Sequence, residues 1–386
     1  KDLAAGADLS VVEGVMGYYD GVGGNDTWAS SYDTARALDA PVVLVLDCKG
    51  ASLSLAAEIK GFLEYRKDSR IRGVILNRIS PVMAERLVPE IEKLGISVFG
   101  YLPECDAAKV TSRHLGLVIP EESKALRERL ELLALEMEKT VDVEGLLRLA
   151  GGAGEWKDDG EAAEGGAEAV IAIEAPGTER IRIGIARDEA FCFYYQENIK
   201  LFESLGAEFV EFDPMRDEHL PKDIAGLMLG GGYPELYAER LSANGSLLRE
   251  IKEAAAGGMP ILAECGGFLY LHEELETKEG EVFPMAGVIA GRAFPTGKLS
   301  RFGYIGLVPY GDTPLLKEGE EIRGHAFHYW DSTACGNAMK AVKPGGKRSW
   351  DCIHADGGLL AGFPHLYYPS NPSAAERWLE LCRKGT

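Results

Sequence analysis

No two of the seven cysteines (48, 105, 192, 265, 335, 352 and 382) stand at C-x-x-C spacing. That excludes a zinc ribbon and a thioredoxin-type redox pair. The odd, scattered set does not read as a disulfide framework, and it fits a reducing cytoplasm. No apolar run approaches the roughly 20 residues that span a bilayer, and no basic-then-apolar signal segment opens the chain. Positive charge is scarce: 41 Lys and Arg against 61 Asp and Glu give a net charge of −20. Such a surface repels phosphate backbones and anionic lipid, so neither nucleic acid nor membrane is expected as a partner. An anionic substrate would need a local basic pocket set against that field. The phosphate-cradling loop G-x-x-x-x-G-K-[ST] is also missing.

What is present is an ordinary globular composition. The chain has 386 residues, 46% hydrophobic and 26% charged, enough for two or three domains with proper cores. "PVVLVLD" (41–47), "IRGVILN" (71–77) and "GISVFGYLP" (95–103) read as strands, separated by helical patterns at 54–67 and 84–95. Strands rich in Val, Ile and Leu with little alternation are buried on both faces, so with intervening helices they predict a parallel, doubly wound sheet. A charged amphipathic helix over 121–149 closes this part. Residues 150–178, rich in Gly, Ala and Glu, cannot bury much and read as a flexible linker. Strand–helix alternation then restarts at "IRIGIARD" (181–188) and continues through "AEFVEFDP" (207–214) and "IAGLMLGGG" (224–232). Two different α/β domains are expected, 1–149 and 179–386. The chain opens without an initiator methionine and enters "LSVVEG", read as an apolar strand, within ten residues. An α/β domain rarely opens this way, so further sequence upstream is expected.

Chemistry is concentrated in a few stretches. "MPILAECGGFLYL" (259–271) runs an apolar strand into one cysteine, two glycines and a helical pattern. This is the layout of a nucleophile elbow, whose strained corner exposes the side chain while the glycines let the helix pack close to the strand. A helix N-terminus there favours the thiolate and supplies N–H groups to an oxyanion. A buried structural cysteine fits the same spacing. "LGGGYPE" (229–235) ends a strand in three glycines, either a tight turn or a loop whose amides approach a ligand. His365, in "GGLLAGFPHLYYPSNP" (357–372), is either a satisfied structural residue or the base that a nucleophilic thiol needs.

"LGGGYPE", "AECGGFLYL", "FGYIGL", "GHAFHYWDS" and "HLYYPSNP" occur in one order that resembles the class I, flavodoxin-like glutamine amidotransferase domain. The variant it resembles is the one fused to cobyrinic acid a,c-diamide synthases and cobyric acid synthases, over roughly residues 180–386. The resemblance implies that Cys265 attacks the glutamine side-chain amide and His365 relays protons. It also implies that backbone amides near Gly231, Gly232 and Gly266 hold the oxyanion and the glutamine. Triad glutaminases carry His-x-Glu, but position 367 is Tyr, so the carboxylate that orients the imidazole is absent from that place; the cobyrinic and cobyric acid branch shares the departure. Ala326 in "GHAFHY" stands where the family usually has a carboxylate, which leaves His325 and His328 a structural or interdomain role.

In the first half, "VVEGVMGYYDG" (11–21) puts Glu13 at the end of the strand read there. Ligands of open α/β sheets bind off the carboxyl ends of strands, and a carboxylate suits Mg²⁺ on a polyphosphate; a plain turn acid fits equally. The whole motif resembles the signature of cobyrinic acid a,c-diamide synthases, whose first domain is a P-loop NTPase of the dethiobiotin-synthetase type. That resemblance implies ATP and Mg²⁺ as cofactors, Asn77 and Pro103 at the adenine, Glu13 at the metal, and Tyr18, Tyr19 and Asp20 at the tetrapyrrole. Lys49 reads as a phosphate or carboxylate contact or as a solvated lysine. Arg113 and His114 would support substrate or the domain interface. The implied activity is ATP-dependent amidation of the a- and c-acetate carboxylates of cobyrinic acid with ammonia from glutamine, in the cytoplasm, by a chain compatible with a homodimer. Nickel sirohydrochlorin and hydrogenobyrinic acid are alternative rings. A binding or regulatory module with a degenerate ATP site is the alternative of another class, and the missing phosphate loop is its main support.

Overall fold

The computed structural model describes residues 6–106, 123–153 and 180–385. Arg113, His114 and most of the stretch read as a linker lie outside the described residues. The chain divides into two compact units between Asp159 and Gly160. Both are α/β with mostly parallel central sheets, as the patterning predicts.

In the first unit the elements are α1 (Ser31–Ala37), β1 (Val42–Asp47), α2 (Ser54–Tyr65), β2 (Ile71–Asn77), α3 (Pro81–Glu92), β3 (Ser97–Leu102), α4 (Ser123–Thr140) and α5 (Val143–Gly151). The strands pair in parallel in the order β1-β2-β3. Alternation sorts the side chains of β2: Val74 and Leu76 pack with Leu55, Ile59, Leu87 and Ile91 of α2 and α3, whereas Ile75 meets Phe99, Met137 and Leu146 on the other side. Helices therefore cover both faces, and apolar burial on each holds the layers together. α3 starts where Ser80 accepts the Met83 N–H at 3.3 Å and Pro81 follows as the first helical residue.

Two expectations fail here. The run 9–14 forms no strand and lies on the surface, with Val11 87% exposed. Apolar β-branched residues favour a strand only where a neighbour satisfies their N–H and C=O groups, and this run has no ladder to join. Glu13 is accordingly exposed in irregular chain rather than at a strand end. The helix expected over 121–149 is two helices. Between them Val141 bridges Gly100 on β3, the Asp142 N–H donates to Phe99 O at 2.7 Å, and Asp142 then caps α5 through the Gly145 N–H at 2.8 Å. α5 itself runs to Gly151, into the first residues of the stretch read as a linker.

The second unit contains β4 (Ile181–Ala186), α6 (Gln196–Ser204), β5 (Ala207–Phe212), β6 (Gly226–Leu229), α7 (Ala238–Ala243), α8 (Gly245–Ala256), β7 (Ile261–Glu264) and α9 (Gly266–Tyr270). Short strands follow: β8 (His272–Glu276), β9 (Val282–Pro284), β10 (Ile289–Pro295), β11 (Arg301–Pro309), β12 (Ile322–His328), β13 (Trp330–Ser332), β14 (Met339–Val342) and β15 (Ser349–Cys352). The chain closes with β16 (His354–Asp356), β17 (Leu359–Gly362), β18 (His365–Tyr367) and α10 (Pro372–Lys384). The central sheet runs β16-β17-β7-β6-β4-β5, parallel except for the pair β16–β17. Its faces carry separate cores. Ile183, Ile185, Met228 and Leu262 pack with Phe202 of α6 and Trp378 of α10, while Leu227, Leu229, Ile261 and Ala263 pack with Leu247 and Ile251 of α8. Because β4 is followed on one side by β5 and on the other by β6, the strand order reverses between β4 and β6. Carboxyl ends at such a reversal form a crevice. Two further sheets, β13-β10-β8-β9 and β15-β14-β11-β12-β18, complete the unit; the second delivers β18, and with it His365, to that crevice. No described helix is long and apolar enough to cross a membrane.

Candidate active site

β7 ends at Glu264, and the next residue, Cys265, turns with φ 47° and ψ −99°. A side chain at positive φ outside the left-handed helical region is strained by about 1–3 kcal/mol and persists only where the surroundings enforce it. They do: the Cys265 N–H is held by Gly362 O of β17 at 2.8 Å, and the Gly267 N–H by Gly230 O at 2.8 Å. A Cβ on Gly267 would strike the Leu229 carbonyl at the end of β6, so only glycine lets α9 start this close to the sheet. Gly266 faces the next loop, where the Gly232 nitrogen lies 3.0 Å from the point a Cβ would occupy.

His365, 7% exposed, opens β18 opposite His325 of β12. Phe193 packs edge-on against it with ring centroids 4.8 Å apart. Gly231 makes room for the imidazole, since a Cβ there would come within 2.5 Å of His365 Cε1. The Gly230–Gly232 loop thus touches both the corner that bears Cys265 and the ring of His365. One expected role changes: the Gly231 N–H donates to Phe193 O at 3.2 Å, so Gly231 serves as space for the histidine and its amide is already taken. Gly232 and Gly266 are the glycines that approach each other beside the corner.

Burial sets the electrostatics. It pushes the Cys265 thiol up to about 12, with Glu235 as the next contributor. It drives His365 down to about 3, and His325 and His328 push the same way. Both are therefore neutral at rest, a thiol and a free imidazole base. The carboxyls of Glu235 and Glu264 rise to about 8, again through burial. Sequence reading missed both glutamates although each stood inside a quoted motif, "LGGGYPE" and "AECGG". Glu264 Oε2 lies 3.9 Å from His365 Nδ1. His328 packs structurally: its ring stacks on Phe363 at 4.0 Å and its Nδ1 contacts Trp330 O at 2.6 Å.

The first unit arranges its candidates differently. Asp47, Asn77 and Leu102 are register partners at the carboxyl ends of β1, β2 and β3, which brings Asn77 beside the start of the loop holding Pro103. Asp47 is gripped by Arg78, whose Nε lies 2.7 Å away, and that hydrogen bond holds the Asp47 carboxyl below its usual range. Lys49 pairs with Glu104 at 3.2 Å. Tyr18 is buried and its hydroxyl donates to Ser69 O; the Tyr19 hydroxyl donates to Phe62 O at 2.7 Å. Both hydroxyls anchor the loop to α2 and its C-terminal turn, leaving exposed Asp20 as the polar group it presents. Asn77 and Pro103 stand at adjacent strand ends, and the side-chain amide of Asn77 carries both a donor and an acceptor. Among the described residues no three of His, Cys, Asp and Glu converge as a metal cage, and Mg²⁺ on a polyphosphate does not require one.

Residues 182–372 match the CobB/CobQ-like glutamine amidotransferase domain family. A cobyrinate a,c-diamide synthase of Caldanaerobacter subterraneus subsp. tengcongensis is 39% identical over 385 residues, covering 98% of this chain and 82% of that protein. One from Salmonella typhimurium is 37% identical with the same two shares. A hydrogenobyrinate a,c-diamide synthase of Streptomyces coelicolor is 35% identical, also over 98% of this chain and 82% of its own length. At that identity over almost every residue, the chain belongs to the cobyrinate a,c-diamide synthase family.

Proposed function

We propose that this chain is a carbon–nitrogen ligase with glutamine as amido donor, amidating the a- and c-acetate carboxylates of cobyrinic acid in cobalamin biosynthesis. The observation that carries the reading is the strained Cys265 corner, which shares the Gly230–Gly232 loop with His365. The Cys265 sulfur attacks the amide carbon of glutamine while His365 takes the thiol proton. The N–H groups of Gly232 and Gly266 hold the oxyanion. His365 returns the proton to the departing nitrogen, ammonia leaves, and water hydrolyses the γ-glutamyl thioester to glutamate and free thiol. ATP supplies the activation of each acetate as an acyl phosphate, which ammonia converts to amide with loss of phosphate. Asn77 and Pro103 would hold the adenine, Glu13 the Mg²⁺, and Asp20 with the Tyr18–Tyr19 loop the ring. A reducing cytoplasm is the proposed location, supported by seven free cysteines.

Hydrogenobyrinic acid is the second reading, favoured by the Streptomyces relative; nickel sirohydrochlorin would use the same machinery. The test supplies each ring with ATP and glutamine and follows conversion of two carboxyls to amides by mass spectrometry. Glutaminase activity is measured alongside in wild type and Cys265→Ala, where a loss of about 10⁴-fold or more is expected. Glutamate release that survives the loss of the thiol would sink the catalytic reading and leave the regulatory module.

A further inference from the structure

We infer that Glu264 is the positioning residue for His365, taking the place of the carboxylate that triad glutaminases carry two residues after the histidine, where this chain has Tyr367. The inference rests on the glutaminase reading above. Alternation along β7 sends Glu264 to the face of Leu262, the side where Tyr368 and Phe202 pack. Cys265 leaves that strand at its positive-φ corner. The Glu264 carboxyl is gripped from the histidine's own segment: Oε1 accepts from Tyr368 Oη at 3.3 Å, and the Leu366 N–H also bonds it. Oε2 is the oxygen 3.9 Å from His365 Nδ1, with only 18% and 8% of the two side chains exposed.

Asn198 of α6 clamps the same segment. Its Oδ1 accepts the Tyr368 N–H at 3.0 Å, and its Nδ2 donates to Leu366 O at 2.7 Å. Asn198, Leu366 and Tyr368 are all buried, so the segment that carries His365 and the tip of Glu264 are fixed to each other. A separation of 3.9 Å is longer than a hydrogen bond, and catalytic contacts of this kind tighten in the substrate complex. A carboxylate at Nδ1 keeps the proton on that nitrogen and leaves Nε2 with its lone pair, the tautomer a general base needs. Once the thiol proton arrives on Nε2, the same carboxylate stands beside the imidazolium. Cys265, Tyr194, Tyr195, Tyr368 and His365 are the titratable groups around Glu264. His325, the register partner of His365 on β12, and His328 of the same strand are the titratable groups that act on His365 itself.

The test uses the whole chain. Glu264→Gln keeps the size of the side chain and removes its charge. It is expected to lower glutaminase kcat by about 10²-fold or more, as amide replacement does in a comparable triad, with KM changed by less than about threefold. It should also abolish an acid limb of kcat/KM near 8, where burial places the Glu264 carboxyl. Tyr368→Phe removes a hydroxyl that favours the ionised carboxyl, so its acid limb moves to higher pH with a loss of about tenfold or less. Wild-type kcat and an unchanged limb in Glu264→Gln overturn the inference while leaving Cys265-dependent glutaminase standing. If Glu264→Gln does not fold, an unshifted limb in Tyr368→Phe overturns it instead. Wild type without Cys265-dependent glutamate release defeats the glutaminase reading, and this inference with it.

Discussion

The two units place most of their charged and nucleophilic candidates under opposite physical conditions. In the second, Cys265, Glu235, Glu264 and His365 lie in a water-poor crevice, and burial moves every one of them away from its ordinary protonation range. In the first, Asp47, Lys49 and Glu13 stand in solvent, and the Asp47 shift comes chiefly from the Arg78 hydrogen bond, with the Lys49 N–H next. Burial on that scale costs stability, and proteins tolerate it where chemistry needs perturbed groups. The second unit is thus built around buried titratable groups, whereas the first presents its charged candidates on exposed surface.

The largest effect that would break this comparison is expected at Gly231. A methyl group there has 2.5 Å to His365 Cε1 and must displace the ring. Gly231→Ala is expected to cut glutaminase kcat about 10²-fold, since an ångström of misplacement can cost that much. Unchanged kcat would show that the ring does not depend on this loop.

A smaller effect is expected in the pH dependence of melting. His272, His328 and His365 are held neutral by burial, with values near 4, 4 and 3. Their stabilisation is present above about 6.5 and is lost as pH falls toward those values. Asp188, Glu235 and Glu264 are raised by burial to about 6, 8 and 8. Their contribution is full below their unfolded values and is lost as pH rises through the folded ones. The second unit should therefore melt highest between about pH 5 and 6.5 and lower on both sides. In the first unit Asp47 and Asp68 are lowered, chiefly by hydrogen bonds from Arg78 and Tyr32. Within the range pH 4 to 8.5 that unit should lose stability on acidification only, since its burial-raised group Cys48 loses its contribution above about pH 9. Calorimetry from pH 4 to 8.5 separates the two profiles, and parallel curves would contradict the contrast in burial.

The smallest effect is expected at Lys49. Its pair with Glu104 is more than half exposed on both sides, so Lys49→Ala should change stability by less than about 0.5 kcal/mol. Glutaminase activity should stay at the wild-type level, while amidation of the ring would fall if this lysine meets phosphate or carboxylate. A chemical denaturation curve and the two activities together decide between the solvated and the ligand-contacting lysine.

Much of this was legible from residue order alone. Runs of Val, Ile and Leu marked β1, β2, β4, β6 and β7, because a strand buried on both faces has no polar side to show. The two glycines after Cys265 marked a corner, because only glycine permits so close a helix. The segment 9–14 misled, since its apolar residues carry no information about whether a neighbouring strand exists to pair with them. β8 to β16 went unread for a related reason: short antiparallel strands of mixed character gain their stability from partners distant in sequence.

By itself, then, the sequence determined the strand–helix alternation, the thiol at a strained turn and the family, all properties of neighbouring residues. Tertiary structure alone decided which groups meet. Register and sheet order brought the Gly230–Gly232 loop against both Cys265 and His365. They committed the Tyr18 and Tyr19 hydroxyls to the main chain, and set a carboxylate from β7 beside a histidine from β18. Contact between distant segments depends on how layers pack, and no local pattern of residues encodes that distance.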